Sequence, residues 1–245
     1  MMPGTVAITG ASGFVGGHVA QRLVADGWQV RALVRRPDSN LPAGVIAVPG
    51  ELSDSACLTA LVTGTDVVVH CAGVVGGVNR AGFQAINVDG TTRLAAAAAK
   101  ADRPPRFILM SSLAAREPGL SAYAASKRDA EAALEQHGNN LDWTILRPSA
   151  VYGPGDRATL AIFRQWRAGF MVVLSGGGQR VSLIHASDLA AGVAALLATG
   201  RGSGETIEVG DRHPDGYDWN HMAKAGGHAL GRPVSRIAVP RAILM

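Results

Sequence analysis

The feature that most constrains this chain is a glycine-rich turn between an apolar segment and an amphipathic helix. Thr5–Thr9 is a short, β-branched run that predicts a buried strand, and helical periodicity follows over residues 14–26. Gly10, Gly13 and Gly16 lie at the junction. Glycines at such a turn permit a tight bend and a close approach of pyrophosphate, and the helix N-terminus attracts phosphate. The stretch predicts a nucleotide-binding turn, with an ordinary strand-to-helix turn as the alternative.

The rest of the chain repeats this alternation of strands and helices. Long helices are predicted over residues 85–101 and 122–136, and further strands over residues 29–34, 45–48, 66–71, 107–110 and 143–146. The rhythm predicts an α/β fold, a Rossmann-type doubly wound parallel sheet with helices on both faces. Ligands bind such sheets beyond the carboxyl ends of the strands. The residues that we therefore expect to converge on one cleft are Gly10, Arg35, Gly73, Ser112 and Pro148.

Two domains are expected. Residues 1–150 would form a dinucleotide-binding domain, to which residues 181–199 return as a strand and a helix. Residues 151–180 and 200–245 would form a small C-terminal substrate-binding lobe. Because Pro240–Met245 reads as the opening turn of a helix, we expect this lobe to be incomplete at its C-terminus.

Composition argues against several classes of partner. The net charge is only +4 and the basic residues are scattered, so we expect no nucleic-acid partner. No apolar run approaches the roughly 20 residues of a membrane span. The two cysteines, Cys57 and Cys71, lack metal-ligand spacing and need no disulfide, so we expect no metal site and a reducing, cytoplasmic location.

The end of the second strand indicates which cofactor is used. Enzymes that prefer NAD place an acidic residue about 20 residues beyond the glycines, where it holds the ribose 2′-hydroxyl. Here Val34 stands at that point and is followed by Arg35 and Arg36. Arginine donates two parallel hydrogen bonds to a phosphate, so the pattern favours NADP. NAD stays possible, since the two arginines also suit a solvated basic turn.

A tyrosine and a lysine four residues apart carry the predicted chemistry. On a helix, Tyr123 and Lys127 share one face. A neighbouring ammonium is expected to lower the pKa of the phenol from about 10, which suits a general acid or base. Ser112, at the end of a predicted strand, is expected to hold a substrate oxygen while Tyr123 moves the proton. Two helix-surface residues are the alternative reading of the pair.

Together these residues resemble the extended short-chain dehydrogenases/reductases, the NAD-dependent epimerase/dehydratase family. Thr9–Gly16 (TGASGFVG) is similar to the cofactor motif of that family, and Tyr123 with Lys127 is similar to its catalytic pair. Ser112 stands where the family has its catalytic serine or threonine. Further segments that match are His70–Gly73, Asn87 in NVDGT, Arg147–Pro154 and Leu183–Asp188.

The resemblance implies roles for individual residues. Lys127 would bind the nicotinamide ribose, Asp54 would approach the adenine, and backbone after Pro148 would hold the carboxamide. Arg35 matches the position that reads the 2′-phosphate in flavonoid-reductase-like members. The resemblance also implies a homodimer. The positions expected to contact the cofactor are Gly10, Ser12, Gly13, Phe14, Val15, Gly16, Arg35, Arg36, Leu52, Asp54, Cys71, Ala72, Gly73, Asn87, Tyr123, Lys127, Pro148 and Val151.

The expected function is that of an NADP-dependent oxidoreductase, which moves hydride between the nicotinamide and a carbonyl or alcohol carbon of a small molecule. One alternative is an NAD-dependent epimerase acting on a sugar nucleotide. It is disfavoured because Leu113–Arg116 stands where such epimerases carry a Tyr-Gly pair after the serine. The other alternative is a non-catalytic NADP-binding module, which needs the glycines but not Ser112, Tyr123 and Lys127.

Overall fold

Short runs of β-branched and aliphatic residues assemble into a seven-stranded parallel sheet. The structure is a computed structural model that describes residues 3–36, 39–174, 178–213 and 215–239. Each neighbouring pair of strands is parallel. The strands, in their spatial order across the sheet, are β10 (Glu205–Val209), β6 (Trp143–Pro148), β5 (Arg106–Met110), β4 (Val67–His70), β1 (Thr5–Thr9), β2 (Gln29–Val34) and β3 (Ile46–Pro49).

The strand order reverses direction at β1. The chain builds outward through β2 and β3 on one side and then continues with β4 on the other side of β1. A crevice therefore opens at the carboxyl ends of β1 and β4, the place where such sheets bind ligands. The predicted doubly wound sheet is confirmed.

Helices cover the sheet. One group contains α1 (Phe14–Ala25) and α7 (Ala186–Thr199), which pack together. The other group contains α2 (Ser55–Val62), α4 (Asp89–Ala99) and α5 (Ala122–Glu135). In this second group α4 contacts both α2 and α5. Phe107 of β5, Leu134 of α5 and Ile145 of β6 are fully buried in the core of this unit. Burial of strands and helix stripes in one core fixes the helix that bears Tyr123 and Lys127 against the carboxyl ends of β5 and β6.

The predicted continuous helix over residues 85–101 is interrupted. The chain forms a short helix α3 (Arg80–Phe83), a π-helical turn (Gln84–Val88) and then α4. A π-helical turn adds a residue per turn and so rotates the side chains that follow, and such turns are frequent at functional sites. In this turn Asn87 is buried. Two 3-10 turns, Leu113–Arg116 and Pro118–Leu120, precede α5.

A second compact unit comprises Ala150–His185 and Gly210–Met245. Within it, β7 (Ala150–Tyr152) pairs in parallel with β9 (Leu183–His185), and β8 (Phe170–Leu174) pairs in parallel with β11 (Ser235–Val239). Its helices are α6 (Leu160–Arg167) and α8 (Trp219–Leu230), which contact each other. The buried residues of its small core are Met171, Val173, Met222 and Ala223.

The boundaries of the two units differ from those expected. The return to the main unit begins at Ala186 rather than at residue 181, because β9 pairs with β7 in the second unit. Residues 200–209 belong to the main unit rather than to the small lobe, because β10 pairs with β6 in the central sheet. The helical turn expected at Pro240–Met245 lies outside the described residues. The binding roles assigned to the two units stay predictions.

Candidate active site

The glycine turn lies at the end of β1, against the end of β4. Gly10 has φ of +76°, a conformation that side chains rarely adopt. A Cβ at Gly10 would lie 2.7 Å from the backbone nitrogen of Ala72. A Cβ at Gly16, in the first turn of α1, would collide with the carbonyl oxygen of Gly10. The glycines thus bring α1, the end of β1 and the end of β4 to contact distance.

The first turn of α1 faces this junction and fits a phosphate. Gly13 is the N-cap residue, and no side chain in the described part of the chain caps this helix end. Its own N–H donates to the carbonyl of Gly10 at 2.9 Å. Ser12 is exposed before the cap, and Phe14 and Val15 begin the helix. A helix N-terminus that begins at a glycine and has no side-chain cap is suited to a pyrophosphate, so these residues fit a dinucleotide.

Two exposed arginines, Arg35 and Arg36, follow β2, the neighbour of β1. Asp54 and Leu52 precede α2. The Asp54 carboxylate caps α2 by accepting from the backbone N–H of Ala56 at 2.9 Å and of Cys57 at 3.1 Å. The pKa of Asp54 is lowered most by a hydrogen bond from the Cys57 thiol, and these two backbone hydrogen bonds lower it further. Its predicted approach to adenine stays a prediction, as does the contact predicted for Leu52.

Lys127 is buried between α5 and the end of β5. Its ammonium donates a hydrogen bond to the carbonyl oxygen of Met110 at 2.8 Å. Burial lowers the pKa of Lys127 to about 8, opposed by the negative charges that Cys71 and Glu131 carry when ionised. The ammonium is therefore placed where β4, β5 and α5 meet.

The expected lowering of the Tyr123 pKa by Lys127 is wrong for this structure. Burial of the phenol raises the pKa of Tyr123, because a phenolate loses hydration there, and the Ser112 side chain opposes that rise. The ring of Tyr123 packs on that of Phe83, with ring centres 6.1 Å apart. Ser112 lies within interaction range of the phenol, and its hydroxyl also accepts from the N–H of Ala114 at 3.2 Å.

Asn87 joins the loop after β4 to the helix that carries Tyr123. Its carbonyl oxygen accepts from the N–H of Val74 at 2.8 Å, and its amide donates to the Val74 carbonyl at 3.0 Å and to the Ser126 hydroxyl at 2.9 Å. Ser126 in turn donates to the carbonyl of Tyr123 at 2.8 Å. A Cβ at Gly73 would lie 3.0 Å from the Asn87 oxygen and 3.5 Å from the Lys127 nitrogen. Gly73, Asn87 and Lys127 therefore meet at one point.

The end of β4 is held by a buried histidine. His70 is hydrogen-bonded to the hydroxyls of Thr9 at 2.6 Å and Thr91 at 3.0 Å, and burial lowers its pKa to about 3. Thr9 also accepts from the N–H of Ala72 at 3.2 Å. Burial raises the pKa of the Cys71 thiol to about 12, so that side chain stays a thiol at neutral pH.

The remaining predicted contacts are placed as follows. Pro148 is buried at the end of β6, beside β5. Val151 lies in the second unit, in β7. The structure brings together the residues that follow β1, β4 and β5 with those of α5, and their roles toward cofactor and substrate stay predictions.

Three residues of the network were not assigned from the sequence. Ser126, Glu131 and Arg147 are held in hydrogen bonds around α5. A signal for Glu131 was present, because residues 123, 127 and 131 follow the four-residue spacing of one helix face. Nothing in the sequence marks Ser126 as the partner of Asn87, since the two lie 39 residues apart.

Two kinds of feature are absent from the described residues. No helix among them is long and apolar enough to cross a membrane. Over the same ranges, no group of three or more His, Cys, Asp or Glu side chains is arranged to hold a metal ion.

Comparison with known proteins gives concordant matches. The family model described as "NAD dependent epimerase/dehydratase family" matches residues 6–210. The chain is 40% identical to a ceramide reductase of Caulobacter vibrioides (strain NA1000 / CB15N), over 97% of this chain and 74% of that protein. It is 30% identical to a 2'-dehydrokanamycin reductase of Streptomyces kanamyceticus, over 96% of this chain and 69% of that protein.

A solved structure extends the comparison to bound ligands. The structure of MoeE5 in complex with UDP-glucose and NAD has a TM-score of 0.77 and 25% sequence identity. The match covers 97% of this chain and 90% of that chain. The similarity therefore includes a protein whose structure contains NAD and a sugar nucleotide.

Proposed function

The chain belongs to the NAD-dependent epimerase/dehydratase family and is an NAD(P)-dependent oxidoreductase of the extended short-chain type, and we propose that it is an NADPH-dependent carbonyl reductase. In this proposal Ser112 orients the substrate oxygen, Tyr123 donates the proton and Lys127 holds the nicotinamide ribose. The nicotinamide, when bound, supplies the hydride to the carbonyl carbon.

The observation that carries the proposal is the convergence of Ser112, Tyr123 and Lys127 beside the loop after β4. The ammonium of Lys127 is anchored on the carbonyl of Met110, which directly precedes Ser111 and Ser112. Tyr123 lies one helical turn before Lys127 and within range of Ser112. Because burial raises the pKa of Tyr123, the phenol is protonated at neutral pH, as a proton donor in carbonyl reduction must be.

The choice of NADP rests on the end of β2. Arg35 and Arg36 are exposed there, next to the strand that leads into the glycine turn. A guanidinium in this position favours a ribose bearing a 2′-phosphate over one bearing a free hydroxyl, for which an acidic side chain is the usual partner.

We further propose that the substrate is a ketone with long aliphatic chains, as in an oxidised ceramide. The support is the 40% identity to a protein named ceramide reductase and the exposure of apolar side chains on segments that adjoin site residues in the chain. Val75 and Val78 follow β4, and Leu120 precedes α5, and their exposed fractions are 73%, 37% and 80%. Exposed aliphatic side chains on loops beside a reaction site suit an apolar substrate better than a charged nucleoside diphosphate.

An assay of purified protein with NADPH tests the proposal. A ceramide whose hydroxyl has been oxidised to a ketone is offered with NADPH or NADH, and absorbance at 340 nm is followed. The proposal predicts stoichiometric consumption of NADPH and formation of an alcohol. An epimerase acting on UDP-glucose would instead retain its cofactor and consume none, and a binding module would bind NADPH without converting either compound.

The expected homodimer and cytoplasmic location belong to the same proposal. Analytical ultracentrifugation of the purified chain tests the first, with a sedimentation coefficient for about twice the 25.2 kDa mass as the expected result. Fractionation of the source cells tests the second.

A further inference from the structure

A buried carboxylate lies one turn beyond Lys127 on α5. Glu131 is completely buried, with a relative accessibility of 0%. Its Oε1 accepts from the Ser111 hydroxyl at 2.5 Å and from Nε of Arg147 at 2.9 Å. Its Oε2 accepts from Nη2 of Arg147 at 2.6 Å and from Nη1 of Arg128 at 3.3 Å. Arg147 therefore donates to both oxygens of the carboxylate, and this bidentate arrangement is the strong form of an arginine–carboxylate ion pair.

The network ties the helix to two strand ends at once. Ser111 directly follows β5, and its N–H donates to the carbonyl of Leu146 in β6 at 2.8 Å. Arg147 is itself in β6. Lys127 is tied to the same strand end, because it donates to Met110, the last residue of β5. Two successive turns of α5 are thus bonded to Met110 and Ser111, immediately before Ser112.

The stability of the fold alone does not account for this network. Transfer of a carboxylate and a guanidinium into a protein interior is unfavourable, and apolar pairs of similar volume are often at least as stable. What a forked ion pair supplies is a fixed geometry, because each of its hydrogen bonds has a preferred direction. Here the geometry that it fixes is the height and rotation of α5 relative to the end of β5.

The charge of Glu131 also reaches Lys127. It raises the pKa of Lys127 against the effect of burial, and Cys71 would act in the same direction only when ionised. His70 is the other titratable group at the end of β4 that interacts with this ammonium. Two arginines form ion pairs with Glu131 itself. They are Arg128, which lies on α5, and Arg147, which lies on β6.

We infer that Glu131 is a positioning residue that, through Ser111 and Arg147, holds Lys127 and Tyr123 in register with Ser112. This inference rests on the proposed reductase function for its kinetic consequence, since it assigns to Glu131 no contact with substrate or cofactor. Its structural part, the link between Glu131 and Lys127, stands on the hydrogen bonds alone.

The test compares Glu131→Gln with Glu135→Gln. Both variants remove one negative charge from α5, but Glu135 is exposed and one turn further along. For Glu131→Gln we expect kcat to fall about a hundredfold, as for a misplacement of about 1 Å. KM for the carbonyl substrate is expected to stay within about threefold, because substrate contacts remain. Glu135→Gln is expected to behave as wild type in both parameters.

A readout independent of turnover is the titration of Lys127 itself. The chain has three lysines, Lys100, Lys127 and Lys224, so NMR of the labelled side-chain nitrogens resolves each one. Glu131→Gln is expected to move the pKa of Lys127 below its starting value of about 8, and Glu135→Gln is expected to leave it in place. An unchanged Lys127 pKa and an unchanged kcat in folded Glu131→Gln would overturn the inference.

Loss of stability is separated from loss of position by a double variant. Glu131→Met with Arg147→Met removes both charges, and such replacements preserve folding in other proteins. We expect near-wild-type thermal stability with kcat still low. Full recovery of kcat would show that Glu131 acts only through stability, against the inference. Tyr123→Phe tests the proposed function separately: if it leaves turnover intact, the reductase mechanism fails, while the NMR titration still tests whether the charge of Glu131 reaches Lys127.

Discussion

The crevice at the carboxyl ends of the strands has two sides, one formed by backbone atoms and the other by polar side chains. The glycine side, formed by Gly10, Gly13 and Gly16, consists of backbone and tolerates no added volume at Gly10 and Gly16. The polar side, formed by Asn87, Ser126, Tyr123, Lys127 and Glu131, consists of side chains cross-linked by hydrogen bonds.

This difference predicts how amino-acid substitutions on each side affect stability and activity. On the glycine side, an added methyl group at Gly10 or Gly16 would collide with backbone atoms, so we expect it to disturb folding and the proposed binding of phosphate. On the polar side, we expect the proposed chemistry to depend on the network more than the fold does, so that removal of one phenolic oxygen stops the reaction and leaves the protein folded. The following predictions test this contrast, from the largest expected effect to the smallest.

Tyr123→Phe is expected to show the largest effect on rate. Removal of the phenolic oxygen eliminates the proposed proton donor, and general acid catalysis is worth about a thousandfold in kcat. The ring contact with Phe83 is preserved, so the thermal midpoint and the Kd for NADPH are expected to be unchanged. Stopped-flow and calorimetric measurements on one preparation check both parts. A kcat within twofold of wild type would remove Tyr123 from the mechanism.

Gly16→Ala is expected to show the largest effect on stability. The new methyl group would collide with the carbonyl oxygen of Gly10, and overpacking of this kind costs about 3 kcal/mol. Gly192→Ala in α7 is the matched control, because a Cβ there meets nothing within 4 Å. Urea denaturation of both variants measures the free energies of unfolding. Equal values for the two would contradict the close approach of α1 and β1.

The buried ammonium of Lys127 is expected to make stability depend on pH. Its pKa is about 8 in the folded protein and about 10.4 in an unfolded chain, so the unfolded chain binds more protons between these values. The cost of burying the charge is therefore full below about pH 8 and disappears as the pH rises toward 10. The stability of the wild type relative to Lys127→Met is expected to rise by about 2 kcal/mol between about pH 8 and 10. Denaturation at several pH values measures it, and a flat difference would contradict the buried charge.

Arg35→Ala is expected to show the smallest of these effects, and only toward one cofactor. Loss of a charge-assisted contact to the 2′-phosphate weakens NADPH binding about tenfold and leaves NADH binding unchanged. Arg31→Ala is the control, since Arg31 lies in β2, four residues before Arg35, but donates to the carbonyls of Thr63 and Ala60. Calorimetric titration with both cofactors gives the ratio. Equal weakening of NADPH and NADH binding would instead indicate that the charge of Arg35 attracts both cofactors and does not recognise the 2′-phosphate.

The contrast also explains which parts of the molecule could be predicted from the sequence. The glycine side is local: a strand, a turn and a helix follow each other in 21 consecutive residues, Thr5–Ala25, and each leaves its own periodicity. The parallel sheet could be predicted for the same reason, since each strand is a short apolar run between helices.

The polar side could be predicted only in part, because its contacts join distant residues. Spacing on one helix pairs Tyr123 with Lys127, but no local pattern pairs Asn87 with Ser126 or Glu131 with Arg147. The raised pKa of Tyr123 could not be anticipated either, because it depends on how deeply the fold buries the ring. Residues 200–209 are predicted to lie in the small lobe but belong to the main unit, since the partly exposed sequence ETIEV of β10 does not identify β6 as its partner strand.

Transfer of a labelled hydride tests the central claim most directly. NADPH carrying deuterium at both C4 positions of the nicotinamide is incubated with the enzyme and the oxidised ceramide, and the product is analysed by mass spectrometry. A reductase is expected to deliver one deuterium to the new carbinol carbon, and Tyr123→Phe is expected to abolish that incorporation without loss of NADPH binding. An alcohol product without deuterium, or a label retained entirely on the cofactor, would contradict the account.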